Sequence, residues 1–291
     1  MPTFNVCKIA INDFHHLFDD VALSVAASLR DLGYECSMTV NEMRADAINI
    51  LIGSIMFNDA LISSHLKQPY IVYQMEILDD HQGHLKNYPK YLDFLSRALS
   101  VWEYSPKNFE YLKSKGLKNL SYVPPGYHPA CENFSWQESP HEFDFLFIGS
   151  LSPRRSEFLQ SLINTGYRVG AITENNGAFG ENRDQVVANS KIIVNVHCFD
   201  DLDVLETVRI SYLLSNHAIV ISEASDHDPY QGAVGYASYE DLAEYCVSVL
   251  QDESGLKERS RRGYIAIKSI DMPSLIKQAL LSIDAHQLQG K

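Results

Sequence analysis

The stretch that most constrains this chain is Phe143–Ser161, FDFLFIGSLSPRRSEFLQS. Phe143–Ile148 is apolar apart from Asp144, the pattern of a parallel strand covered on both faces. A Gly149-Ser150 turn follows, and a helix opens near Pro153. Ser152 is a good N-cap, Pro153 suits the first helical position, and Glu157 follows in the first turns. A strand that runs through a glycine turn into a helix N-terminus presents N–H groups and the positive end of a dipole, which suits a phosphate. Arg154 and Arg155 lie in the opening turn. Two guanidiniums bind planar oxyanions bidentately, so a diphosphate is the natural ligand. The plainer reading is an ordinary strand-turn-helix with solvated arginines, because one glycine is a weak motif.

The rest of the chain repeats this rhythm. Phe4–Ile11, Glu35–Val40, Ala47–Ile52, Tyr70–Tyr73, Leu99–Tyr104 and Tyr122–Val123 read as strands. Helical segments alternate with them: one from Asp19 or Asp20 to Gly33, one around Asn58–Leu66, then Tyr88–Leu99 and Lys107–Lys115. Such alternation predicts an α/β fold with a mostly parallel sheet and helices on both faces. Pro124–Pro129 breaks the pattern and 130–142 is polar, so residues 1–126 form one domain and 127–142 a linker. A second domain spans 143–272, with strands at Tyr167–Ile172, Ile192–His197 and Ala218–Ser222 and helices at Arg183–Asn189, Leu205–Leu214 and Ser238–Gln251. Residues 273–291 form a final helix able to cross back to the first domain. Two Rossmann-like, doubly wound domains facing across a cleft bind ligands at the carboxyl ends of their strands. There Arg154, Arg155, His197, Glu206 and Arg209 are expected to converge. Glu206 and Arg209, three apart on a helix, share a face and suit an ion pair.

The 291 residues carry a net charge of -13. That argues against non-specific nucleic-acid binding, which needs clustered Lys and Arg, and against a polybasic membrane patch. A local basic pocket for a small anion is compatible with it. The five cysteines are scattered and odd in number, the usage of reduced thiols in a cytoplasmic protein. No signal-peptide pattern and no bilayer-spanning apolar run is read from the sequence.

Four stretches, VWEYSPKNFEYLKSKG, YVPPGYHP, FDFLFIGSLSPRR and ANSKIIVNVHCFDDLDVLETVRISYLLSNHAIVISE, resemble bacterial CgeB-like glycosyltransferases from about Asn49 to Glu223. The resemblance implies the two-domain GT-B architecture, with a nucleotide-sugar donor site in the second domain and an acceptor site in the first. It implies that Gly149 and Ser150 meet the donor diphosphate, that Arg154 and Arg155 neutralise it, and that the helix Leu205–Leu214 carries donor-contacting residues. The common retaining pattern has two glutamates eight positions apart. Here Cys198 stands eight residues before Glu206, and Tyr212 occupies the glutamate position in the alternative register. Glu206 and Arg209 are therefore placed at the donor with their roles left open.

On the acceptor side, Asp13, His15 and His16 follow the first strand, where a His or Asp suits deprotonation of an acceptor hydroxyl. The alternative is a capping loop with exposed histidines. Glu76, in YQMEIL, follows another strand and is an acceptor-side or structural residue. Asp201-Leu202-Asp203 has the form used to hold a divalent cation against a diphosphate, but aspartates before a helix are ordinary caps. Asp79, Asp80, His81 and His84, and likewise Asp226-His227-Asp228, fit no zinc spacing. Trp102 and Tyr104 read as edge-of-core aromatics. The expected activity is metal-independent sugar transfer from a nucleotide-diphosphate sugar to a hydroxyl, without further cofactor. An epimerase or hydrolase on the same fold, or a non-catalytic nucleotide-sugar-binding partner, are the alternatives.

Overall fold

A computed structural model describes residues 2–56, 66–78, 90–136, 141–173, 178–200 and 204–283, without the side chains of residues 12–14 and 56. The expected helix Asn58–Leu66, the candidates Asp79, Asp80, His81, His84, Asp201 and Asp203, and the side chain of Asp13 fall outside that description.

The chain divides into two compact units, Met1–Ala130 with Ile270–Lys291, and Cys131–Ser269. In the first unit, strands β1 (Phe4–Lys8), β2 (Cys36–Val40), β3 (Ile48–Ile52), β4 (Tyr70–Gln74), β5 (Val101–Glu103) and β6 (Leu120–Tyr122) form one sheet in the order β2-β1-β3-β4-β5-β6. All five pairings are parallel, with Val6 opposite both Met38 and Ile50. β1, β3 and β4 are buried along their whole length, which is why they read as continuous apolar runs. Helix α1 (Asp19–Asp31) turns Val21, Ala22, Val25, Ala26 and Leu29 inward. α2 (Tyr91–Ser96) packs Tyr91, Phe94 and Leu95 against Leu51, Val72 and Val101. α3 (Pro106–Ser114) is opened by Ser105, whose side chain accepts from the Asn108 N–H.

In the second unit β7 (Phe143–Ile148), β8 (Val169–Ile172), β9 (Ser190–Asn195), β10 (Val220–Glu223) and β11 (Gly235–Ala237) run in the order β11-β10-β9-β7-β8, again all parallel. Among the described residues five helices accompany them: α4 (Pro153–Asn164), α5 (Gly180–Ala188), α6 (Thr207–Ser215), α7 (Leu242–Gln251) and α8 (Glu253–Lys268). Phe145, Phe147, Ile192, Val194 and Ile221 of the sheet pack with Phe158, Leu162, Leu242 and Val249 of α4 and α7. The strand expected at Tyr122–Val123 lies two residues earlier, and the three-residue β11 has no alternation by which the sequence announces it. Asn216 binds the backbone of Cys131, Asn133 and Phe134, tying the start of the polar segment to the second unit.

The last helix, α9 (Met272–Leu281), belongs to the first unit and packs on α1. Asp271 caps it, and Met272, Ile276, Ala279 and Leu280 are its buried stripe. Tyr127 and this return segment are laced together by Tyr127 N–H to Ile270 O (2.7 Å) and Met272 N–H to Tyr127 O (3.0 Å). At Gly126 a side chain has no room: a Cβ would lie 2.5 Å from the Ile270 carbonyl oxygen. Each sheet reverses its strand order beside its first strand, between β1 and β3 and between β7 and β9. Open α/β sheets bind ligands outside the carboxyl ends of the strands at such a reversal.

Candidate functional site

At the reversal point of the second unit, β7 ends in Gly149 and β9 ends in Asn195, followed by Val196 and His197. Gly149 has φ +147°. A Cβ there would lie 2.8 Å from Nη2 of Arg209, so the glycine makes room for that guanidinium against the turn.

The two arginines of α4 stand in different surroundings. Arg154 reaches across the carboxyl ends of the neighbouring strands. Its Nη1 and Nη2 fork onto Glu223 at the end of β10, Nη1 at 2.6 Å, and its Nε pairs with Asp200. Its guanidinium lies 3.8 Å over the Tyr239 ring. Burial opposes its charge, but Glu223 and Asp200 outweigh burial and raise it above its ordinary value. Arg155 is 4% exposed. It donates to the Val196 carbonyl (2.8 Å), the Ser150 carbonyl (3.0 Å) and Glu206 Oε1 (3.0 Å), stapling the loops after β7 and β9. Both guanidiniums are thus matched by carboxylates of this chain, where a diphosphate was expected to match them.

Glu206 stands at the N-cap position of α6, with no side-chain cap to its own helix. Its Oε1 accepts from Arg155, and its Oε2 from Asn195 Nδ2 (2.8 Å) and His197 Nδ1 (3.1 Å). Burial disfavours the carboxylate, yet the bond and charge of His197, the charge of Arg209 and the Asn195 bond hold it ionised, at about 2. His197 is 5% exposed. Burial pulls its pKa down, but Glu206, Glu223 and the Ala224 carbonyl raise it above the ordinary histidine value.

Arg209 is the cation left over. Its Nη1 donates to Asn195 Oδ1 at 2.6 Å, and among the described residues no carboxylate lies within ion-pair distance of it. The pairing with Glu206 expected from their spacing does not form, because Arg155, Asn195 and His197 occupy that carboxylate. Burial lowers the Arg209 guanidinium to about 10, against the pull of Glu206 and with Arg155 adding repulsion. A half-buried cation with few acceptors around it is a ready anion ligand.

The site also uses residues that sequence reasoning missed. Asn195 is wholly buried and bridges Arg209, Glu206 and Ser222. Its signal was a polar residue closing an apolar strand, KIIVN. Glu223 and Tyr239 lie too far from Arg154 in sequence to be paired with it. Tyr212 donates its hydroxyl to Asp184, which also pairs with Arg183. Among the described residues no group of three or more His, Cys, Asp or Glu is arranged to hold a metal. Asp228 of the Asp226-His227-Asp228 run accepts from the Tyr230 and Gly232 N–H groups and the Tyr236 hydroxyl.

In the first unit, the 3-10 helix Asn12–Phe18 follows β1 and carries His15 and His16, whose rings lie 4.1 Å apart. His16 Nδ1 is 2.7 Å from Asp19 Oδ2, and Asp19 also pairs with the buried Lys8. Burial works against ionisation of Asp19, but Lys8 and His16 hold it below the ordinary carboxylate value. Glu76 is half-buried, and its carbonyl is pinned by Gln74 Nε2 (2.9 Å) and Asn108 Nδ2 (2.7 Å). Asn108 also binds Glu103, which is wholly buried, its Oε2 without a hydrogen-bond partner among the described residues. Burial raises Glu103 well above the ordinary carboxylate value. Trp102 is wholly buried and Tyr104 nearly so, core residues both.

No family model matches the sequence. An uncharacterized protein of Acanthamoeba polyphaga mimivirus is 24% identical over 198 residues, 65% of this chain and 64% of that protein. A second from the same virus is 25% identical over 224 residues, 68% of this chain and 25% of that protein. The chain spans less than two thirds of the length of either relative. Among solved structures, a DNA-modifying β-glucosyltransferase superposes with a TM-score of 0.62 at 10% identity, over 97% of this chain and 99% of that one. The α,α-trehalose-phosphate synthase of Burkholderia vietnamiensis gives 0.61 at 9%, over 100% and 99%. AviGT4, a glycosyltransferase of avilamycin A biosynthesis, gives 0.58 at 12%, over 99% and 98%. At these identities the likeness is one of fold: two Rossmann-like units, as in GT-B glycosyltransferases.

Proposed function

We propose that this chain transfers a sugar from a nucleotide-diphosphate sugar to an acceptor hydroxyl, with the donor diphosphate held in the second unit by Arg209 and the Gly149-Ser150 turn. The observation that carries the reading is Arg209 itself, a half-buried guanidinium with a single acceptor among the described residues, seated against a glycine turn at the strand-order reversal. Arg154 and Arg155 hold the frame in which it sits. As the glycosidic bond breaks, the leaving diphosphate gathers negative charge. Fixed donors aimed at that charge act most strongly in the transition state. On the acceptor side His16, paired with Asp19, is the candidate to take the hydroxyl proton, with Glu76 after β4, two strands along the same sheet, as a second acceptor-side candidate. The fold shared with glycosyltransferases supports the same reaction class.

The test is a thermal-shift and calorimetry panel of UDP-, GDP- and dTDP-sugars. Binding stabilises the native state in proportion to the logarithm of ligand over Kd. At least one is expected to bind, and a chain that binds none contradicts the reading. A second reading, a non-catalytic nucleotide-sugar-binding partner, is favoured by Tyr212, whose hydroxyl is committed to Asp184 where a glutamate was expected. Donor binding with no hydrolysis or transfer across several acceptors supports it.

A further inference from the structure

Glu206 and Arg209 have the spacing at which a carboxylate and a guanidinium ordinarily pair, yet three other donors hold the carboxylate. Two of these are fixed from elsewhere: Arg155 by the Val196 and Ser150 carbonyls, and Asn195 by Ser222. The third, His197, is the one whose hydrogen is exchangeable near neutral pH. Its two ring nitrogens both face acceptors. Nδ1 is 3.1 Å from Glu206 Oε2, and Nε2 is 3.2 Å from the Ala224 carbonyl oxygen. An ionised carboxylate and a carbonyl can only accept, so the ring is satisfied only with a hydrogen on each nitrogen.

We propose that His197 is a positioning residue for the donor diphosphate: with an N–H on both ring nitrogens it keeps Glu206 turned from Arg209, and so leaves the Arg209 guanidinium to the ligand. The inference rests on the reading that Arg209 meets the diphosphate. The charged groups facing His197 are Glu206, at the head of α6; Glu223, at the end of β10, which accepts from the His197 backbone N–H at 3.0 Å; and Arg154 of α4, which donates to the His197 carbonyl at 3.3 Å and is itself paired with Glu223. The ring is thus held between the Glu206 carboxylate and the Ala224 carbonyl, with Glu223 on the residue's backbone and one already-matched cation beside it. Loss of a ring hydrogen leaves a lone pair facing the Glu206 carboxylate or the Ala224 carbonyl. Glu206 Oε2 then keeps only its bond from Asn195, and the lone pair set free competes with the ligand for Arg209, three residues further along the chain.

The experiment uses the full chain and inorganic pyrophosphate as probe, by calorimetry between pH 6 and pH 9, for wild type and His197→Gln. The ratio of their affinities removes the probe's own ionisation. At pH 6 wild type is expected to bind roughly tenfold more tightly, the size of one charge-assisted hydrogen bond, and the ratio is expected to fall towards one by pH 9. Ring nitrogen-15 spectra of wild type at pH 6 are expected to show His197 protonated at both positions. A pH-independent ratio overturns the proposal, and so does a singly protonated His197 at pH 6, which decides the matter even where the variant does not fold. Pyrophosphate binding that Arg209→Ala leaves intact counts instead against the donor reading. Binding that is sensitive to Arg209→Ala but indifferent to His197 counts against this inference alone.

Discussion

Arg154 and Arg155 are adjacent and share a helix turn, but one reaches past β9 to a glutamate 69 residues away at the end of β10 while the other is buried beneath the loops it joins. The sequence makes both visible as cations at a helix start. It brings Glu206 to the same strand ends but does not assign the pairs, because Glu223 and Glu206 arrive through the strand order. Replacing Arg155 by Ala removes a nearly buried cation from Glu206 and leaves the Val196 and Ser150 carbonyls without their donor, and we expect this to destabilise the second unit by roughly 3–5 kcal/mol in urea titrations. Glu103 has the opposite logic. Its folded pKa is raised by burial, so the unfolded chain gives up its proton first as pH rises. Stability is therefore lost steadily above the ordinary glutamate range. Glu103→Gln keeps the bonds to Ser105 and Asn108 possible and removes that loss. We expect it to raise the melting temperature at pH 8 but not at pH 4, and an equal shift at both sets the assignment aside.

At the scale of elements, the unit β7–Gly149–α4 was legible to the residue: Phe143–Ile148, the Ser152 cap and the start at Pro153 all follow from local rules. α6 was legible as a helix but not at its boundary. It begins at Thr207 rather than Leu205, which makes Glu206 a cap-position residue whose side chain turns to α4 and β9 instead of lying along its own helix. Two residues of boundary thus decided whether Arg209 is neutralised. The Gly149 turn is the matching feature on the strand side. Gly149→Ala puts a methyl at φ +147° and within 2.8 Å of the Arg209 guanidinium. Strain at such a φ is about 1–2 kcal/mol, and the displaced guanidinium adds a loss of pyrophosphate affinity. Calorimetry is expected to show that affinity loss in a chain that still folds. In the first unit α9 contributes through its apolar stripe: Ile276→Ala is expected to cost roughly 2–5 kcal/mol, read from the urea midpoint.

For the molecule as a whole, the net charge of -13 sits beside a small site in which Arg154, Arg155 and His197 are each balanced by Asp200, Glu206 or Glu223 and, among the described residues, Arg209 is not. Composition has no means of singling out one guanidinium within that balance. The alternation of strands and helices gave the α/β class and two parallel sheets, because buried parallel strands are apolar throughout. It did not give β11, a three-residue strand held by its neighbour alone. The most direct test is calorimetric titration of wild type and Arg209→Ala with the best-binding nucleotide-diphosphate sugar from the panel, each checked for folding by its melting curve. We expect Arg209→Ala to remain folded and to lose roughly 10- to 100-fold in affinity, the worth of a charge-assisted bond to phosphate. A folded Arg209→Ala protein that binds the donor as tightly as wild type contradicts the account.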